Sequence, residues 1–519
     1  MGEAAAATSI FGSIQPFDDD EPPLVRIADH GGDVILAVTF ETSEATLRRA
    51  RKWAPRKSSG TSAAAEPSIV LKPRFTVAYR VSLNALTKQS KYFANLLGNS
   101  AFKEAQLIAE TYASLSRQGI KPADAEAADL PVIRVTDDDD ATRAAGREVL
   151  FEDMLRLMHQ IPIKNSALVN MPYATTLAIL ADRFDCTSRV SRAFADVRFK
   201  WPVTSNKPYV DEAGRATEVE RVLRQKVLTA WLLNQPMQLH QASRELLMRG
   251  SRFWGPSAEE HNMTGAWWNL PEGIEGTFSK TSSSLRPPPS PYSLIKLASV
   301  CYIQVSVQAD SKTFDADEFQ CRRERILNTI ASIQKHFLGL YSSRNRQCRL
   351  GYDSSAACDH FQLGQMLKFL LSKGLVSLVD FSPASMYNLP SDVPVDIKEL
   401  LNTLKECPNY QLDKHHVNCG LKIRIDPILD YVKTMLSANH VAISRQDWTR
   451  RRDDATWAGA SRGGIRDGEA DDDDGRKRVF AFTRALANDE RLRYEGHFYV
   501  NRMARNLFTA DTWDWTPEF

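Results

Sequence analysis

The chain has 519 residues, 43% hydrophobic and 25% charged, which fits an ordinary globular protein of several domains and argues against a fibrous or wholly disordered one. Lys and Arg number 66 against 64 Asp and Glu, so the formal charge of +2 gives no global field for nucleic acid or an anionic membrane. Cys186, Cys301, Cys321, Cys348, Cys358, Cys407 and Cys419 are odd in number, scattered and without a CxxC pair, which predicts reduced thiols in the cytoplasm or nucleus.

Residues 1–31, rich in Ala, Pro and Asp, read as a disordered tail. They carry no basic n-region or long apolar run, so no signal peptide is predicted, and Ala6 stands where a myristoylation signal has Ser or Thr. In DVILAVTF, Val34, Leu36, Val38 and Phe40 alternate with Ile35, Ala37 and Thr39; both sets are largely apolar, which predicts a buried strand. A polar insertion near 44–72 follows. Its run RRARKWAPRK, Arg48 to Lys57, reads either as a solvated loop or as a basic nucleic-acid patch. RFTVAYRV is a second strand. Leu86, Ser90, Phe93 and Leu97 then keep helical spacing up to Gly98, a natural helix stop.

A second polar insertion near 106–129 leads to the strand LPVIRV. The acids Asp137 to Asp140 read as a solvated loop run. FEDMLRLMHQI places Phe151, Met154, Leu155, Met158 and Ile161 on one helical face, with His159 beside it as a packed or surface residue. Pro172 opens a helix through Leu177, Leu180, Ala181 and Phe184. Beyond Trp201 the pattern is helical: Leu223, Val227 and Trp231 form a stripe, LHQASRELLMRG ends at Gly250, and TSSSLRPPPSP is a linker. Further helices carry Ile326, Ile330, Ile333 and Phe337, then Leu363, Met366, Leu367 and Leu370. Asp396 with Glu399 resembles a capping box, and Asp426-Pro427 reads as a helix start. Residues 449–478, charged and Gly-rich, read as disordered.

Nucleotide, hydrolase and HExxH motifs are absent. One cluster has ligand chemistry: Cys407, His415, His416 and Cys419 fall within thirteen residues, and Cys348, Cys358 and His360 lie upstream. Thiolates and imidazoles are what closed zinc sites use, but the spacing C-x7-H-H-x2-C lacks a CxxC knuckle. The expectation is therefore of buried thiols in a helical core, with no metal, no cofactor and no four-ligand geometry.

GDVILAVTF, RFTVAYRVSLNALTKQSKYFANLLGNSAFKEA, LPVIRV, FEDMLRLMHQIP and LAILADRFDC together resemble a BTB/POZ domain. Val81, Leu86, Ser90 and Phe93 fill the places of the family's strand-to-helix pattern, and the whole chain resembles fungal BTB-domain proteins. The family commonly has His followed by Lys or Arg at the strand-to-helix junction, where this chain has Ser82-Leu83. The resemblance implies an α+β fold, a small sheet flanked by helices, followed by a mostly α-helical C-terminal region. The expected division is a BTB/POZ domain over 32–200, a helical extension and linker over 201–290, a helical domain over 291–448 and a charged tail over 449–519.

The function implied is non-enzymatic protein–protein interaction. The chain would self-associate with a second copy of itself or bind a partner such as a cullin, as a ubiquitin-ligase adaptor, with no membrane or nucleic-acid partner. A nuclear regulatory protein whose basic insertion contacts nucleic acid is the alternative. In cullin adaptors the loop after this helix carries a hydrophobic-x-Glu motif, which Phe102-Lys103-Glu104 matches, so Phe102 and Glu104 are the candidate partner-binding residues. The other reading of Phe102 is a cap contact against Leu96 or Leu97.

Overall fold

A computed structural model describes residues 22–27, 32–53, 72–165, 169–203, 206–209, 211, 216–250, 298–299, 318–348, 350, 353–377, 396–451, 455–457 and 478–516. The architecture is mixed α+β, mostly helical with a small sheet. The chain divides into two compact units: residues 1–203, 222–238 and 256–268 in the first, and 204–221, 239–255 and 269–519 in the second. Among the described residues no helix is long and apolar enough to cross a membrane.

The first unit is built on a four-stranded sheet of β1 (Leu24–Arg26), β2 (Val34–Glu41), β3 (Arg74–Val81) and β4 (Val132–Asp138), in the order β1-β3-β2-β4. β2 pairs antiparallel with β3 along its whole length, Val34 opposite Val81 and Glu41 opposite Arg74, and parallel with β4 from Ile35 opposite Val132. As an interior strand covered on both faces, it needs the near-continuous apolar run its sequence has. β1 lies parallel to the other side of β3, so part of the expected disordered tail is sheet.

Helices α1 (Glu44–Trp53), α2 (Leu83–Gln89), α3 (Lys91–Gly98), α4 (Lys103–Arg117), α5 (Arg147–Met158), α6 (Met171–Arg183) and α7 (Thr187–Asp196) complete this part of the chain. Both expected insertions are corrected in part. The first begins with α1, which buries Leu47 and Thr46; the second contains α4, which buries Ile108 and Leu115. The single helix expected up to Gly98 is two, broken at Ser90. The Ser90 hydroxyl accepts from Phe93 N–H at 3.1 Å, as an N-cap does, and donates to the Phe184 carbonyl at 2.6 Å. Phe93 thereby stacks on Phe184 at 5.6 Å, and Phe184 meets Phe151 edge-on at 5.2 Å. Phe151 in turn contacts Phe40 and Tyr79, so one aromatic chain joins the sheet to three helices.

The acidic run is the clearest correction. Asp137 is not solvated: it ends β4 with no exposed surface, and Arg147 Nε donates to its Oδ2 at 2.7 Å. Arg183 approaches its other oxygen at 3.1 Å. Arg147, 1% exposed, also donates to the carbonyls of Glu41, Ala144 and Asp137. A carboxylate in this run stays buried because two guanidiniums meet it, a partnership no local periodicity announces. Burial pushes the Asp137 carboxyl up, and both arginines pull against it.

α8 (Glu218–Leu232) and α9 (Pro236–Arg249) follow, and a two-residue β5 (Ala298–Ser299) pairs antiparallel with β6 (Val376–Ser377). The second unit's core is helical: α10 (Glu318–Ser342), α11 (Ser355–Ser372), α12 (Ile397–Lys405), α13 (Leu421–Leu436), α14 (Arg445–Arg450) and, later, α17 (Gly496–Phe508). Ile326, Ile330, Ile333 and Phe337 are all buried, as their spacing requires. Asp396 accepts from the N–H groups of Lys398 and Glu399, so the N-cap read at that position is present.

One expectation fails in this unit. α13 starts at Leu421 and carries Pro427 inside it, because the buried Leu421, Ile425, Ile428 and Leu429 outweigh the hydrogen bond proline cannot make. Within the charged, partly disordered tail expected over 449–519, residues 478–516 are folded. β7 (Val479–Ala481) pairs parallel with β8 (Thr512–Asp514), with short α15 (Arg484–Ala487) and α16 (Arg491–Tyr494) between them, and Phe480, Phe482, Phe508 and Trp515 enter the main core. Most of 449–478 lies outside the described residues, but Trp457 is buried and stacks on Phe508 at 5.6 Å. Glu318, buried, receives Arg322 Nε at 2.6 Å, Thr456 Oγ1 at 2.6 Å and Trp457 N–H at 2.9 Å.

Truncating one member of a buried ion pair leaves an uncompensated charge, so Arg147→Ala should lower unfolding free energy by about 3–5 kcal/mol in urea titration. A loss no larger than that of an exposed arginine would contradict the pairing described. A second expectation concerns His440, whose Nε2 accepts from Trp457 Nε1–H at 3.0 Å. Burial, then Arg322 and Arg505, push this imidazole down to about 3. In the unfolded chain it titrates near about 6.5, so on acidification the unfolded state binds a proton the folded state refuses, and stability falls between those two values. His440→Gln should flatten that limb of the stability–pH profile; an unchanged slope would show His440 does not contribute.

Candidate partner-binding surface and thiol–imidazole cluster

The turn after Gly98 is held by Asn99, whose carbonyl accepts from Phe102 N–H and whose Oδ1 accepts from Ala101 N–H, both at 3.0 Å. Phe102 is the N-cap residue of α4, and its carbonyl accepts from Gln106 N–H at 3.2 Å. Its side chain is 42% exposed, as is Leu107, and Tyr92 on α3 is 39% exposed. Glu104, half-buried, lies in the first turn of α4, where the helix dipole favours a carboxylate. The Tyr92 phenol is pushed up by burial and by Glu104, against the pull of Arg183, which places Glu104 within electrostatic reach of that ring. Phe102 and Glu104 thus belong to a surface that also presents Tyr92. Leu97 is buried, while Phe102 keeps part of its surface in solvent.

His159 has a structural place. Its Nε2 accepts from Ser82 N–H at 2.9 Å and its Nδ1 faces the Leu155 carbonyl at 2.7 Å, while burial lowers its pKa. The neutral ring therefore joins the β3–α2 junction to the end of α5. The basic run is helical through Trp53, with Arg48 paired to Glu44 and Arg49 donating to the Arg143 carbonyl. Arg56 and Lys57 lie outside the described residues.

In the second unit, the sequence marked Cys348, Cys358, Cys407 and Cys419 with His360, His415 and His416 as one cluster; the fold gathers three of the cysteines. Cys348 follows α10, Cys358 lies in the first turn of α11, and Cys419 precedes α13, yet their sulfurs all lie within 4.8 Å of one another. Cys348 Sγ and Cys419 Sγ are 3.7 Å apart, well beyond the roughly 2.05 Å of a disulfide. All three are buried, with Leu350 and Leu412 packed against them. Burial, then the neighbouring sulfurs, push the Cys358 thiol well above its usual range. Burial opposes ionisation of Cys348 too, but the Leu350 N–H and the surrounding donors outweigh it and hold that thiol below its ordinary value.

His416, 1% exposed, precedes Cys419 by three residues, and its ring lies outside the set of atoms within 4.8 Å of one another. Asp413 Oδ1 meets its Nδ1 at 2.8 Å and accepts from its backbone N–H at 3.2 Å. Hydrogen bonding to Asp413 raises the imidazole pKa. Nε2 nevertheless makes no hydrogen bond of acceptable geometry among the described residues. Cys419 N–H donates to the His416 carbonyl at 3.2 Å, which folds the two residues into one tight turn. At Gly420 a Cβ would come within 2.5 Å of Asn409 Oδ1 and 3.0 Å of the Tyr410 carbonyl, so only glycine lets the chain pass. Cys407, buried elsewhere, has the Pro408 carbonyl as its contact, and His415 and His360 are exposed; these three stand outside the set. The signal available was His416-x-x-Cys419 with Asp413 three residues earlier.

Comparison with protein-family models, curated proteins and solved structures finds no match to this chain.

Proposed function

We propose that this chain is a non-enzymatic interaction protein of the BTB/POZ type. In this reading it is an adaptor or scaffold whose first unit docks a cullin-type protein partner on the surface formed by Tyr92, Phe102 and Glu104. The observation that carries the reading is Phe102, 42% exposed at an ordered helix N-terminus beside an acidic residue. Leaving such a ring in water forgoes roughly 1.5–3 kcal/mol of burial, and exposed aromatics of this kind are the anchors of protein interfaces. Support also comes from the topology. The strands at 34–41, 74–81 and 132–138 share one sheet, and helices follow them in the chain, as a small sheet flanked by helices implies.

Partner binding and stability separate cleanly on one substitution. Phe102→Ala should weaken capture of a purified cullin N-terminal domain by about tenfold or more while leaving the melting temperature nearly unchanged. Glu104→Arg should do the same. A fall in melting temperature with intact capture would make Phe102 a cap contact. Capture of no cullin, with reversible self-association abolished by Phe102→Ala, would assign the surface to a second copy of the chain.

A further inference from the structure

We propose that Cys348, Cys358, Cys419 and His416 bind one zinc ion in a closed, tetrahedral structural site. The dimensions fit the ion. A zinc centre with Zn–S bonds of about 2.3 Å has sulfur–sulfur edges of about 3.8 Å, by the geometry of a tetrahedron. Cys348 and Cys419 stand 3.7 Å apart, and the Cys358 sulfur is within 4.8 Å of both; the His416 ring lies outside this set and would close on the ion as the fourth ligand. That separation is too long for a disulfide, and a disulfide would leave the third buried thiol unaccounted for.

The imidazole supplies the independent argument. In the neutral tautomer that donates Nδ1–H to Asp413, Nε2 carries a lone pair; this nitrogen is buried and makes no hydrogen bond of acceptable geometry among the described residues. A buried acceptor left unsatisfied is costly, and here a cation satisfies it. The Asp413–His416 pair is the arrangement by which an outer carboxylate fixes the tautomer and orientation of a zinc-ligating histidine. Three sulfurs with one imidazole select zinc over hard cations, which take oxygen ligands.

The role follows from where the ligands lie. They come from the segment after α10, the first turn of α11 and the turn before α13, with Cys348 and Cys419 separated by 71 residues. One ion would add to the contacts that already join these segments, among them Gln347 N–H to Asp359, Arg424 to the Gln347 carbonyl and Tyr341 to the Cys419 carbonyl. No side chain is left over to leave a coordination position open, so the site is structural rather than catalytic.

The test uses the full chain, purified with a tag that does not bind metal and analysed by elemental mass spectrometry. One zinc per chain is expected. His416→Ala and Cys358→Ser should reduce it to trace, Cys407→Ala should retain it, and His416→Cys should restore it. If the first two variants do not fold, the wild-type chain decides. Stripping with chelator and a thiol reagent, followed by reduction, should lower the melting temperature, and one equivalent of zinc should restore it. Cobalt in place of zinc should give the visible absorption of a tetrahedral, thiolate-bound ion. Trace metal in the wild-type chain, iron in place of zinc, zinc retained equally by His416→Ala and Cys358→Ser, or a Cys348–Cys419 disulfide in chain isolated under reducing conditions would each overturn the proposal.

Discussion

An ionisable group taken out of water must be met by opposite charge or by hydrogen bonds, and that requirement organises both units of this chain. In the first, Asp137 at the end of a strand is held by Arg147 and Arg183, and Asp153 receives the Tyr173 hydroxyl and the Lys164 N–H. In the second, Glu318 gathers Arg322, Thr456 and Trp457, while Arg322 reaches the carbonyls of His440, Val441, Ala442 and Ala455. Each network ties segments far apart in sequence, so it fixes tertiary arrangement rather than local conformation. His416 departs from the pattern, as His240 Nε2, Arg424 Nε and Asp426 Oδ1 also do: one ring nitrogen is satisfied and the other is not. The zinc proposal supplies the missing partner at His416.

The same logic separates framework from surface. Sheet, aromatic chain and buried ion pair make the first unit a rigid platform, and at its α3–α4 turn exposed aromatic surface sits on ordered backbone. Rigid presentation lowers the ordering cost of binding, which suits a docking site. In the second unit, Cys348, Cys358, Cys419 and His416 are turned inward, where they can hold the fold.

Legibility in the sequence followed periodicity. β2 and β3 were readable from their runs rich in β-branched and aromatic residues, and the helix bearing Ile326, Ile330, Ile333 and Phe337 because its apolar residues repeat at three to four. α4 was not, since only Ile108 and Leu115 are fully buried along fifteen mostly exposed positions. Asp137 was hidden in a run of four acids of which only the fold distinguishes one from another. Pro427 misled because local chemistry favours a helix start there, while tertiary packing carries the helix six residues further back. Phe102 and Glu104 could be named from a motif, but their exposure could not. The thiol set was half legible: its residue types were visible, and its membership was not. Cys348 and Cys358 join Cys419 by tertiary approach, whereas Cys407 and His415, nearer in sequence, stay out.

The central claim is that the unsatisfied nitrogen of His416 and three neighbouring sulfurs form one coordination sphere. X-ray absorption at the zinc edge of the purified chain tests it without substitution. The account predicts three sulfur scatterers at about 2.3 Å and one nitrogen at about 2.0–2.1 Å. A first shell made only of nitrogen and oxygen, as a surface-bound ion would give, or one of four sulfurs without an imidazole, would contradict it.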